Sequence, residues 1–171
     1  RTLDRLDASL QILTGRPSDI ALPLAYYKTG KDPLRERGLD PARDGSGLLW
    51  YAPLVPMRGE RVKVFVELVE TVCARHGMEP LITLTSHGAG CWLSTVPLLF
   101  DRADAGEQAR AYACFDELFR RGQGEGFMPY RLSIREMDRL TDATQPCWQM
   151  VRRIKAAIDP QGLIAPGRYG G

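Results

Sequence analysis

The 171-residue chain carries 23 basic and 21 acidic residues mixed along its length, for a net charge of +2, with 44% apolar and 26% charged residues. That length suits one domain with a proper core, and the balance excludes disordered and fibrous classes. It also lacks the electrostatic footprint of a nucleic-acid or anionic-membrane partner, which leaves small molecules or proteins.

Taken in order, "RTLDRLDASLQILTG" sets Leu3, Leu6, Leu10 and Leu13 at spacings of three and four, which predicts a helix over about 2–14 that Gly15 stops. The next thirty-odd residues are rich in proline, glycine and charge and read as loop, too long to be idle inside a compact domain. "GLLWYAPLV", 47–55, reads as a buried strand. In "RGERVKVFVELVETVCARHG", Val62, Phe65, Val66, Val69, Val72 and Cys73 share a helical face, with Gly77 placed as its C-terminal cap. "EPLITLTS" and "GCWLSTVPLLF" flank the turn sequence "HGAG" and predict a hairpin, with Pro97 arguing for an edge or a bulge in its second strand. A helix over about 104–121, with Ala109, Tyr112, Ala113, Leu118 and Phe119, ends in "RGQGEG". This order gives an α+β class: a ferredoxin-like antiparallel sheet with helices on one face, residues 1–124. A C-terminal segment, 125–171, follows, with a short strand at "FMPYRLS", a helix near 133–140, and a helix at 145–158 whose Trp148, Val151, Ile154 and Ile158 share a face. "DPQGLIAPGRYGG" adds a turn, a short apolar strand and a glycine-rich tail.

No G-x-S-x-G, H-E-x-x-H, P-loop or dinucleotide-binding fingerprint is present, and the glycines of "RGQGEG" follow a helix and precede a strand, the reverse of a phosphate-binding turn. Cys73, Cys91, Cys114 and Cys147 form no C-x-x-C pair, which argues against structural zinc and for reduced core thiols in a cytoplasmic protein, with the periplasm as the alternative. No apolar run reaches the roughly 20 residues of a membrane helix, and the first residues lack a signal peptide's hydrophobic region. His87 lies at a turn without a second base nearby in sequence, and His76 on a last helical turn complements the helix dipole. Tyr130 and Arg131 stand side by side. In a regular strand they would diverge, whereas an irregular end after Pro129 would aim a hydroxyl and a guanidinium at one anionic oxygen. Arg168 in the glycine-rich terminus either approaches the same place or lies on the surface.

The pairing of "PYRLSIREMD", 129–138, with "IKAAIDPQGLIAPGRYG", 154–170, resembles the C-terminal part of the vanillyl-alcohol oxidase and 4-cresol methylhydroxylase flavoprotein family. The resemblance extends back through "LLWYAPLVPMRGE", similar to the family's entry into its second cap-domain repeat, and through "ILTGRPSD". It implies an FAD-dependent enzyme that oxidises para-substituted phenols by hydride transfer from the benzylic carbon to the flavin, giving a quinone methide that water attacks. Tyr130 would hold the phenolic oxygen, Arg131 would stabilise negative charge on flavin and phenolate, and Arg168 would be a further phenolate or flavin contact. "CWLSTVPLLF" contains neither the histidine nor the tyrosine that tethers FAD in many members, so the flavin is expected to be non-covalent unless His87 substitutes as a flavin contact from its turn. The family's FAD-binding domain and first cap repeat are not in these residues, which therefore read as a C-terminal piece, inactive by itself, that meets an FAD-binding domain in cis or in trans. The resemblance also admits a homodimer or a cytochrome electron acceptor. Two other readings stay open: a non-catalytic ferredoxin-like binding module, and part of an FAD-linked 2-hydroxy-acid dehydrogenase whose arginines clamp a carboxylate.

Overall fold

The computed structural model describes residues 10, 11, 13–19, 21–28, 38–88 and 90–169. Its long strand β4, Cys91–Asp101, is flanked on one edge by β1, Ser46–Tyr51, and β2, Leu54–Pro56, and on the other by β3, Thr83–His87. All pairings are antiparallel, with Tyr51 opposite Val96, Val55 opposite Trp92 and Thr85 opposite Leu93. β1 and β2 are one predicted strand interrupted at Ala52–Pro53. The Pro53 carbonyl there accepts both the Ser94 backbone N–H at 3.1 Å and the Ser94 hydroxyl at 2.6 Å. Beyond this strand the chain returns at Pro129, which bridges Pro53. The resulting spatial order, 129 beside β1/β2, then β4, then β3, is that of a split β-α-β fold.

Two helices, α2, Gly59–Arg75, and α3, Ala105–Gly124, cover one face. A shorter α1, Pro23–Tyr26, lies within the segment expected to be loop and packs on β1. Period-two alternation aims Leu49, Tyr51, Val55, Val96 and Leu98 at the helices, where Phe65, Val69, Val72, Cys73, Cys114, Phe115, Leu118 and Phe119 complete the core. On α3 the buried set is Ala111, Cys114, Phe115, Leu118, Phe119 and Gly122, so the expected Ala109 and Ala113 are not on the buried face. Asp104 caps α3 by accepting from the Gly106 and Glu107 backbone N–H groups at 2.8 and 3.0 Å. α2 ends as its glycine predicts: Gly77 has φ 62°, and the Met78 N–H reaches the Cys73 carbonyl at 2.8 Å.

Gly122 is fixed by packing. A Cβ there would lie 1.9 Å from the Tyr51 hydroxyl oxygen, so Tyr51 fills the space a side chain would need. Pro97 sits on the central strand, but past Thr83–Thr95, where β3 ends, so its missing N–H interrupts no ladder on that side.

Several expectations are corrected. Leu3 and Leu6 lie outside the described residues, while Leu10 and Leu13 are helical and exposed, so no core forms around them here. The predicted strand at 127–133 reduces to the single Pro53–Pro129 bridge, the helix near 133–140 to one 3-10 turn, Met137–Arg139, and the apolar strand near the end to turns. Only Cys73 and Cys114 are core thiols; Cys91 is half-buried, Cys147 exposed, and all four are free. The terminal helix, α4, Pro146–Ile158, forms as predicted but buries none of its residues. Among the described residues no helix is long and apolar enough to cross a membrane, and no cluster of His, Cys, Asp and Glu could hold a metal.

Candidate functional site

The segment 127–131 is fixed at its base and open at its end. Phe127 is buried, meets Phe65 edge-on at 5.4 Å, and carries the Arg61 guanidinium 4.6 Å over its ring. The Leu54 N–H donates to the Met128 carbonyl at 2.9 Å and the Tyr130 N–H to the Ala52 carbonyl at 3.1 Å, which fixes the register. These bonds turn the Ala52 and Leu54 backbone groups away from β4, so by alternation Leu48 and Trp50 also present theirs to the free edge of β1.

Past Tyr130 the chain leaves that edge, and a cavity of about 330 Å³ opens between β1, α3 and residues 131–136. Leu48, Leu49, Trp50, Tyr112, Phe115 and Leu132 give it apolar walls, and Arg131, Ser133, Arg135 and Glu136 supply its polar groups. Tyr130 is not among the lining residues. It is 37% exposed. The Arg131 guanidinium nevertheless swings to 5.8 Å from the Tyr130 ring, so the two groups share one rim.

Arg131, Arg135 and Arg139 recur every four residues, and only the first is uncommitted. Arg135 donates to the Tyr112 hydroxyl at 2.9 Å and lies 5.3 Å over its ring. Arg139 donates to Asp116 at 2.6 Å and Glu136 at 2.7 Å and packs 4.0 Å over Phe119. Those clasps, with buried Met137, anchor the segment to α3. Arg131 has no carboxylate partner among the described residues and stands at the mouth of an apolar cavity, an arrangement suited to an anionic oxygen on an aromatic ring.

The other predicted residues lie elsewhere. His87 is exposed at the tip of the β3–β4 hairpin, opposite Cys91, at the Pro56 end of the broken strand, about four residues or ~13 Å along it from Ala52. Arg168 is exposed in the tail after α4, and no described hydrogen bond or ring contact links it to Tyr130 or Arg131. Sequence reasoning missed Trp50, Tyr112 and Arg135 as cavity residues. The four-residue recurrence of arginine from 131 was the visible signal for Arg135. Nothing local marks Trp50, 40% exposed on an otherwise apolar strand, because its role depends on which edge stays free.

No description of a known protein family matches the chain. Individual proteins do. The chain is 34% identical over 155 residues to 1'-carboxy-chondrochloren decarboxylase of Chondromyces crocatus, covering 91% of this chain and 28% of that protein. It is 31% identical over 147 residues to the 4-cresol dehydrogenase [hydroxylating] flavoprotein subunit of Pseudomonas putida, covering 85% of this chain and 28% of the relative. Among solved structures, p-cresol methylhydroxylase with substrate bound superimposes with a TM-score of 0.66 at 30% identity, over 72% of this chain and 24% of that one. The isoeugenol complex of 4-ethylphenol oxidase from Gulosibacter chungangensis gives 0.65 at 27%, over 74% and 25%. The chain thus spans between a quarter and a third of the length of the curated relatives it matches.

Proposed function

We propose that this chain, a homologue of the 4-cresol dehydrogenase flavoprotein subunit and related FAD-linked oxidases, is the substrate-side portion of an FAD-dependent oxidoreductase acting on para-substituted phenols. The observation that carries the reading is Arg131, a cation without a carboxylate partner among the described residues, at an apolar cavity mouth beside the Tyr130 ring. A phenolate needs that combination: flat apolar walls for its ring, and a hydroxyl and a guanidinium for its oxygen.

The same donor set suits a flavin. Arg131 can face the pyrimidine edge of the isoalloxazine ring, where negative charge accumulates on reduction, and Arg168 can supply a second cation. When bound, FAD supplies the acceptor for a hydride leaving the benzylic carbon. The Tyr130 hydroxyl donates a hydrogen bond to the phenolic oxygen, which binds as the phenolate after losing its proton to solvent. Arg131 holds the ring oxygen as an anion, and the electrons on that oxygen drive hydride departure. Stabilising this charge with fixed donors lowers the barrier. His87, at the hairpin tip, remains a candidate flavin contact, and the flavin is held without a covalent bond. The adenine and pyrophosphate are bound by a separate domain, in cis or in trans, to which residues 125–171 return. The uncovered apolar face of α4 supports that return.

The two curated relatives are named for different outcomes, a decarboxylation and a hydroxylating dehydrogenation, so the test compares 4-alkylphenols with and without a side-chain carboxylate. With the flavin-binding region supplied, 4-alkylphenols are expected to bleach the flavin spectrum and 2-hydroxy acids to leave it unchanged. Tyr130→Phe should weaken phenol binding and slow reduction by about 1–3 kcal/mol. Bleaching by 2-hydroxy acids alone would overturn the phenol reading.

A further inference from the structure

Arg168 lies in an exposed tail, yet that tail has a defined shape. Asp159 is 8% exposed, while Ala156, Ala157 and Ile158 before it and residues 160–168 after it are all exposed. Its two carboxylate oxygens accept the Leu163 and Ile164 backbone N–H groups, each at 2.9 Å. Lys155, one turn back on α4, donates both to Asp159 and to the Ile164 carbonyl. The carboxylate therefore folds "DPQGLI" back against the end of α4. The Asp159 N–H on the Lys155 carbonyl at 2.8 Å and the Gly162 N–H on the Asp159 carbonyl at 3.1 Å close the same knot.

The other end of the tail is pinned as well. The Tyr169 ring stacks on Trp148, in the first turn of α4, with centroids 6.3 Å apart and an interplanar angle of 8°. From Trp148 to Asp159 the helix rises ~16 Å, so the tail runs back along α4 between two anchors. Between them Ala165 and at the far anchor Tyr169 take left-handed conformations, φ 47° and 49°. Such conformations are uncommon for non-glycine residues. Arg168 is the residue delivered by this arrangement; its N–H closes a turn on the Ala165 carbonyl at 3.3 Å, and its guanidinium has no described partner.

We propose that Asp159, with Lys155 and the Trp148–Tyr169 stack, is a positioning device that sets where the Arg168 guanidinium points; this rests on the reading of Arg168 as a substrate or flavin contact. Asp159 touches neither group and acts through the tail. The device explains why an aspartate followed by a proline should precede the glycines of the tail: the carboxylate supplies paired acceptors for the next turn, and the proline cannot continue the helix.

Two arms test it. In the full chain, residue-resolved amide exchange should show Leu163 and Ile164 protected, and Asp159→Asn should speed their exchange by about tenfold or more. With the flavin-binding region present, Asp159→Asn should raise the dissociation constant for a 4-alkylphenol by about the same factor as Arg168→Gln, roughly tenfold. The double variant should be no worse than Arg168→Gln alone. Lys155→Met, which leaves Asp159's amide bonds in place, should give a smaller change of the same sign, and decides the matter if Asp159→Asn does not fold. Faster exchange in Asp159→Asn with unchanged phenol affinity, or multiplicative effects in the double variant, would overturn the proposal. So would an Arg168→Gln variant that binds phenol normally. The exchange arm needs neither flavin nor phenol: unaltered protection in Asp159→Asn removes the device whatever becomes of the enzymatic reading. A wild-type flavin indifferent to phenols removes that reading, and with it the role given to Arg168, while the latch itself is still measured by exchange.

Discussion

Residues 46–127 bury their apolar side chains on one another, from Tyr51 and Phe65 to Leu118 and Phe127, whereas α4 holds Met150, Val151, Ile154 and Ile158 in the open, Ile158 at 69% exposure. Both regions carry apolar residues at helical spacing. The difference is that α2 and α3 have a sheet to cover, and α4 has no partner surface among the described residues. The sheet layer is held by packing, and the tail by a few polar and stacking contacts along its own helix. A substitution should therefore matter to stability in the first region and to assembly or presentation of Arg168 in the second.

The largest stability effect expected from a small change is at the helix–sheet contact. Gly122→Ala sets a methyl group against the Tyr51 hydroxyl and should destabilise by about 1–3 kcal/mol in urea unfolding. The Tyr51 hydroxyl is buried without a hydrogen-bond partner among the described residues, and burial pushes its pKa up. Tyr51→Phe should therefore be close to neutral alone and should relieve much of the Gly122→Ala penalty. A full penalty in the double variant would mean that the contact is not what excludes a side chain.

A smaller effect is expected at the clip between α2 and α3. Glu117 accepts from Arg75, lies 2.8 Å from the His76 Nε2, and has the Arg121 guanidinium at 3.5 Å. His76, then Arg75, hold its carboxyl below the ordinary value of 4.5. A depressed carboxylate contributes stability above its unfolded pKa and loses that contribution as pH falls through the folded one. Glu117→Gln should thus be less stable than wild type at pH 7, and the gap should close as pH falls below 4.5. A gap independent of pH would show that charge is not involved.

The smallest stability effect belongs to α4. Ile154→Glu should change unfolding of the chain by less than about 0.5 kcal/mol, because the side chain is already exposed. The same substitution should abolish association with the flavin-binding region, read by sedimentation or by flavin retention. A large loss of stability in the chain alone would show that α4 packs on the sheet layer.

Much of this was legible locally. The spacing of Val69, Val72 and Cys73, the glycine after His76, and the "HGAG" turn each specify their element through backbone geometry and the period of burial. The break of one long strand at Ala52–Pro53 was not, because the Ser94 groups that stabilise it come from β4. The short strand at Tyr130 shrank to a bridge because the chain leaves the edge of β1 after the Tyr130 N–H has bonded the Ala52 carbonyl. The pairing of Tyr130 with Arg131 was visible as a sequence neighbourhood, but not where each side chain goes: Arg131 lines the cavity and Tyr130 does not, while the guanidinium lies 5.8 Å from the Tyr130 ring. That Arg131 alone of three spaced arginines stays uncommitted required Tyr112 and Asp116 on α3, twenty-three residues upstream of their partners.

By itself the sequence determined the α+β class, the helices α2, α3 and α4 and the β3–β4 hairpin, since each follows from short-range periodicity, turn chemistry and residue type. Only the tertiary structure decided that β4 is central, that the cavity opens at the edge of β1, and that the apolar face of α4 meets no surface among the described residues. Those outcomes depend on which strands pair and which faces meet, and no local pattern of residues contains that information.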